Sequence, residues 1–174
     1  VQTVVGFATP DKVTNVPPAD IVRQSLADIK PTWAAGDLGS ALAAIAGELA
    51  GRDGEVWVVA PEVKQSASSH AISIHRPLRL REVRPRWYAV DGTPTDCAWL
   101  GIHHVLKGRR PSLAVSGINH GPNLADDVTY SGTVGAAMEA VLSGCPAFAI
   151  SQVLEGEPDF ELARHVAALV ARNI

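Results

Sequence analysis

The chain has 174 residues, 47% hydrophobic and 19% charged, which is enough to bury a core without disulfides or a structural metal. A formal net charge of -3 and a pI of about 6.1 leave no electrostatic footprint for long nucleic acid, although a small phosphate ligand needs only a local site. No stretch reaches the ~18 apolar residues that cross a bilayer, and the opening VQTVVGFATP lacks a basic flank, so neither membrane association nor an export signal is predicted.

The run VQTVVGFA fits a strand, and Ala19–Ile29 fits a short helix after Pro17-Pro18. Lys30–Gly39 is turn-rich, and PTWAAGD within it separates an atypical segment, 1–37, from a regular core, 38–174. Leu38–Ala50 is rich in Ala and Leu and reads as a helix. EVWVVA, residues 55–60, is a nearly continuous apolar run closed by Pro61, the pattern of a strand buried on both faces. Residues 70–90 alternate but carry Pro77 and Pro85, which predicts an antiparallel or edge hairpin, peripheral to the main sheet.

Thr95–Leu106 follows as a helix, with Thr95 and Asp96 as its start signals, and LAVSGI, 113–118, as a second buried strand. Thr133–Leu142 is a helix closing at Gly144, PAFAIS, 146–151, a third strand, and Pro158–Ile174 an amphipathic helix with Leu162, Val166, Leu169 and Val170 at helical spacing. Strand and helix alternate. The expected fold class is therefore α/β: a Rossmann-like, doubly wound, mostly parallel sheet with an appended antiparallel hairpin in a three-layer αβα sandwich. Such sheets bind ligands beyond the carboxyl ends of their strands.

Two loops leave strands at that edge. SGINHGPNLADDVTYSGTVGAAMEA, residues 116–140, passes from a strand through Gly, Pro, Asn and Asp into a helix at Ser131-Gly132-Thr133. Small residues at a helix start suit an anion, because backbone N–H groups and the helix dipole converge there; a plain helix cap at Ser131 is the alternative. Asn119 offers a side-chain oxygen of the kind a hard cation takes, or forms a turn. Asp126 and Asp127 read as solvated acids favouring a helix start. The second loop, VVAPEVKQSASSHAISIH, residues 58–75, brings Ser66, Ser68 and Ser69 to the same edge. His70 and His75 lack the HExxH spacing of a zinc site, and His103-His104 reads as surface or partly packed. Nucleophile-elbow, P-loop and dinucleotide glycine motifs are absent from the 174 residues. Cys97 and Cys145 lie far apart in apolar stretches, as buried free thiols of a reducing compartment do, which favours the cytoplasm.

APEVKQSASSHAISIHRPLRL, DGTPTDCAWLG and AVSGINHGPNLADDVTYSGTVGAAMEAVLSGCPAFAIS, in that order, resemble the survival protein SurE family from about Gly54 to Asp159. The resemblance implies a Rossmann-like hydrolase: a divalent-metal-dependent 5'/3'-nucleotidase, with Mg²⁺ or Mn²⁺ as cofactor and a nucleoside monophosphate or other small phosphomonoester as substrate. It implies Ser66 and Asn119 as metal ligands, and Ser131, Gly132 and Thr133 as the phosphate-binding loop. Family members begin with a strand ending in Asn-Asp-Asp-Gly, whose aspartates supply the main metal ligands. Here PTWAAGD precedes the corresponding helix, with Asp37 its sole acid, and Asp11 after VVGFATP is the other candidate. A catalytically degenerate domain that keeps the fold and weak nucleotide binding is the alternative. The chain reads as a fragment, and the family's C-terminal hairpin and arm, which build a homodimer, have no counterpart after Ile174.

Overall fold

The computed structural model describes residues 4–9, 55–153 and 160–174. The expected helices Ala19–Ile29 and Leu38–Ala50, the turn at Lys30–Gly39, the boundary between 1–37 and 38–174, Asp11 and Asp37 lie outside them. The described strands are β1 (Val4–Thr9), β2 (Glu55–Pro61), β3 (Leu80–Arg84), β4 (Trp87–Val90), β5 (Leu113–His120) and β6 (Ala147–Gln152). The helices are α1 (Pro94–Leu100), continued by a π-helical turn over Gly101–Val105, then α2 (Asp127–Tyr130), α3 (Gly132–Leu142) and α4 (Glu161–Asn173).

All six strands form one sheet in the order β3-β4-β2-β1-β5-β6. β2 pairs parallel with β4, and β5 with β6, while β1 runs antiparallel between β2 and β5. Strands β2, β4, β5 and β6 therefore point one way, so the Rossmann-like α/β expectation holds. The exception is instructive. β1, drawn from the segment read as atypical, fills a central slot, and its apolar sequence VVGFAT suits a strand with neighbours on both sides.

Side-chain alternation sends the two faces of the sheet into separate cores. Val59, Val90 and Ala114 pack with Cys97, Ala98, Leu106, Ala136 and Ala140 from the α1 and α3 layer. On the opposite face, Phe148 and Ile150 of β6 and Ile118 of β5 meet Phe160, Ala163 and Ala167 of the α4 region. α4 lies close because its inward positions are alanines, while Leu162 and Leu169 face outward.

Two local readings change. The hairpin is confined to β3 and β4, and β4 is an internal strand bonded to β2, so only β3 is peripheral. The first helix is capped not by Thr95 or Asp96 but by Thr93: its hydroxyl accepts the Asp96 N–H at 3.0 Å, and the Asp96 carboxylate accepts the Thr93 N–H at 2.8 Å. Pro94 at the first helical position, where no N–H is needed, explains the one-residue extension beyond Thr95. His103 and His104 are exposed on the π-helical turn, where the His103 ring centroid lies 5.1 Å from that of Trp99.

Both cysteines are buried and free. Burial pushes the Cys145 thiol up to about 11. Burial, with the adjacent Asp96 carboxylate, holds the Cys97 thiol well above its ordinary range. The folded chain thus keeps thiol protons that the unfolded chain releases near pH ~8.5. This contribution to stability is full below that pH and is lost as pH rises toward 11. Neither thiol is expected to react with a disulfide reagent at pH 8 until urea unfolds the chain, and urea midpoints are expected to fall between pH 8.5 and 11. Native reaction at the rate of free cysteine contradicts this.

Candidate active site

Val5 of β1 is opposite Val59 on one side and Ser116 on the other, so the carboxyl ends of β2 and β5 reach the same sheet edge on either side of β1. Two strand spacings separate them by about 10 Å. The loops after Pro61 and after His120 therefore face each other across a short gap. Sheet topology alone brings the two loops named from the sequence to one place.

The first of them reaches α3 directly. Ser69 donates its N–H to the Tyr130 carbonyl at 3.0 Å and its hydroxyl to the Thr129 carbonyl at 2.8 Å. A β-carbon at Gly132 would collide with Ser68 Oγ and come within 2.9 Å of Pro94, and one at Gly135 would collide with the Ser69 carbonyl. Glycine at these two positions is what lets the loop lie on the first turns of the helix. Ala67 and Ser69 both adopt left-handed backbone at φ +52°, a conformation that costs a non-glycine residue about 1 kcal/mol or more. Contacts with the rest of the domain must offset that strain.

Ser131 is buried and caps α3, its hydroxyl accepting the Val134 N–H at 3.3 Å. The bland role as a cap is therefore real, and it coexists with a place at the start of an eleven-residue helix, where the helix dipole favours an anion. Thr133 is buried, and its carbonyl accepts the Ser116 hydroxyl at 2.7 Å, which ties the helix start to β5. Ser68 Oγ is buried and without a hydrogen-bond partner among the described residues, beside Gly132.

Asn119 owes its position to an irregularity in β5. Leu113 and Val115 pack toward α4, and Ala114 and Ser116 toward α3. The ladder with β6 shifts between Ser116 and Asn119, and Ile118, which strict alternation would send toward α3, packs with the α4 core instead. The following residue, Asn119, is thereby turned to the α3 side, as bulges re-aim side chains. Gly117, at φ +131°, makes this possible; a β-carbon there would also meet the Ile150 carbonyl. Asn119 is half-buried and donates Nδ2–H to the Gly121 carbonyl at 3.0 Å, leaving Oδ1 without a partner among the described residues.

Ser66 lies exposed in the same loop as Ser68. It makes no described contact with Asn119 or Ser131; what the structure joins directly is the neighbouring stretch Ser68–His70 and the start of α3. Asp126 and Asp127 are exposed at α2. One further pair has no signature in the sequence: His70 Nε2 stands 2.8 Å from Oε2 of Glu139, which is buried in α3. The two lie 69 positions apart, too far for any spacing rule.

As a metal site, the hydroxyl of Ser66 and Oδ1 of Asn119 are neutral hard oxygens, suited to Mg²⁺ or Mn²⁺ rather than zinc. Among the described residues no group of three His, Cys, Asp or Glu side chains could hold a metal. The slot beside Asn119 is taken by β1, which brings Val4 to this edge opposite Gly117 and contains no acid; its other end, Thr9, lies by Glu55 at the far edge.

Comparison with known proteins matches residues 36–174 to the family described as Survival protein SurE. The chain is 61% identical over 120 residues to the 5'-nucleotidase SurE of Anaeromyxobacter sp. (strain Fw109-5), a match spanning 69% of this chain and 47% of that protein. It is 64% identical over 119 residues to the 5'-nucleotidase SurE of Myxococcus xanthus (strain DK1622), covering 68% and 45%. The chain thus spans about half the length of these relatives. Among solved structures, the SurE protein from Aquifex aeolicus superposes with a TM-score of 0.71 at 37% identity, over 79% of this chain and 56% of that one.

Proposed function

The chain belongs to the survival protein SurE family, and from that premise we propose that it carries most of the catalytic core of a metal-dependent phosphomonoester hydrolase acting on nucleoside 5'- or 3'-monophosphates. The observation that carries the reading is the seating of the serine loop on the first turn of α3, so close at Gly132 that no side chain fits. Phosphate recognition requires that kind of approach: donors at a helix start, small residues around them and hydroxyls pointing in. The names of the relatives, 5'-nucleotidase SurE, support the same chemistry.

In this reading Ser66 and Asn119 hold Mg²⁺ or Mn²⁺ through neutral oxygens, and Ser131, Gly132 and Thr133 cradle the phosphate. A divalent metal held there supplies charge neutralisation at the phosphoryl oxygens and an acidified water. Asn119 keeps its orientation through the Nδ2–H bond to Gly121. The Ser131 hydroxyl caps the helix by accepting the Val134 N–H, which leaves its own O–H to donate to the phosphate, and the Ser116 bond to Thr133 fixes that start against β5. Buried free thiols support a reducing compartment such as the cytoplasm, and no described helix is long and apolar enough to cross a membrane. A homodimer belongs to the same proposal.

A second reading has an observation of its own. β1 runs antiparallel through the central slot and brings no carboxylate to the edge beside Asn119. Among the described residues the candidate ligands are neutral oxygens, which by themselves hold a cation weakly, and this favours a domain that keeps the fold and weak nucleotide binding while turnover is impaired. Phosphate release from AMP and GMP, with Mn²⁺ or Mg²⁺ and then with excess chelator, separates the two. The enzyme reading expects turnover that the chelator abolishes and added metal restores. Metal-independent turnover rules out the metal assignment, and binding without turnover selects the degenerate domain.

A further inference from the structure

The serine loop needs an anchor. Two of its residues, Ala67 and Ser69, sit in left-handed backbone on either side of Ser68, and the bonds from Ser69 reach only Thr129 and Tyr130. These two residues belong to the exposed four-residue helix α2, itself a weak support. The remaining tie from this stretch to the packed body of α3 is His70 Nε2–H donating to Glu139 Oε2 at 2.8 Å. Glu139 is 7% exposed, and its carboxylate has no partner other than His70 among the described residues. A buried carboxylate with a single partner binds it strongly, because losing that partner leaves the charge uncompensated. Glu139 also follows Ser131 by eight residues, about 12 Å along the helix axis, too far to meet a phosphate at the helix start.

We infer that the His70–Glu139 pair is a positioning device: it locks the Ala67–Ser69 turn onto α3 and so presents the Ser66 and Ser68 hydroxyls to the ligand. The consequence for ligand rests on the nucleotidase reading above; the consequence for the loop does not. Gly135 belongs to the same device, since the Ser69 carbonyl and His70 Cα occupy the space a side chain there would fill.

The test compares wild type with His70→Leu, Glu139→Ala and His70→Gln, the last of which keeps an N–H donor at about the reach of Nε2. Hydrogen exchange is read at the Ser69 and Ala71 amides, with Val115 of β5 as a control for the intact fold, and AMP affinity is read by calorimetry with Mn²⁺. His70→Leu and Glu139→Ala are expected to speed exchange at Ser69 and Ala71 about tenfold and weaken AMP binding by a similar factor. His70→Gln is expected to recover most of both, and Val115 to stay protected throughout. The inference is overturned if Ser69 exchange is unchanged in His70→Leu, if exchange rises while AMP affinity holds, or if His70→Gln behaves as His70→Leu. A wild-type chain that binds no AMP sinks the nucleotide reading instead, and the exchange comparison then decides the loop-holding role alone.

Discussion

Asn119→Ala is expected to lower metal-dependent turnover by roughly 100-fold or more while leaving the fold in place. The side chain makes one described hydrogen bond, Nδ2–H to the Gly121 carbonyl at 3.0 Å, so its loss costs about 1 kcal/mol of stability. The loss in rate is larger because, on the proposed reading, Oδ1 is a metal ligand, and each ligand matters more where its described neighbours in the site are neutral oxygens than it would beside carboxylates. Activity and urea denaturation measured on the same preparation separate the two effects. A variant that keeps wild-type turnover removes Asn119 from the site. One that loses turnover only because it unfolds removes the assignment as well.

The largest stability loss is expected from Asp96→Ala. Asp96 is 1% exposed, and its carboxylate accepts three bonds: the Ser73 N–H at 2.8 Å, the Ser73 hydroxyl at 2.7 Å and the Thr93 N–H at 2.8 Å. Alanine would leave those donors unsatisfied and break the cap of α1, for a combined loss of about 3–5 kcal/mol. At this chain length that corresponds to a fall in Tm of about 10 °C or more. Because Ser73 lies just beyond the serine loop, the stretch from Ser68 to Ser73 is also expected to exchange faster. Calorimetry and amide exchange check both parts, and a change in stability below about 1 kcal/mol would show that water replaces the carboxylate.

Particular residues show how far the sequence could be read. The apolar runs around Val59, Val115 and Ala149, and the Ser131 cap before a helical pattern, identify strands and a helix without a structure, because those signals are local. The convergence of the two loops also followed from strand-helix alternation, since parallel strands deliver their carboxyl ends to one edge. Asn119 was readable as a candidate but not as a residue aimed at α3, because its aim depends on a ladder shift against β6. The Asp96 bonds to Ser73 span 23 positions and the His70–Glu139 contact 69, so neither could be paired from sequence spacing.

By itself the sequence determined the α/β class, the places of β2, β5 and β6 as strands, the capped α3 and the family to which the chain belongs, all of them written in periodicity and short motifs; β6 proved an edge strand of the described sheet rather than a buried one. Only the tertiary structure decided that β1 enters the centre of the sheet antiparallel, that β5 turns Asn119 toward α3, and that Glu139 holds the serine loop through His70. The physical reason is that strand direction, ladder register and the partner of a buried charge are chosen by residues distant in the chain, whose mutual packing no local pattern records.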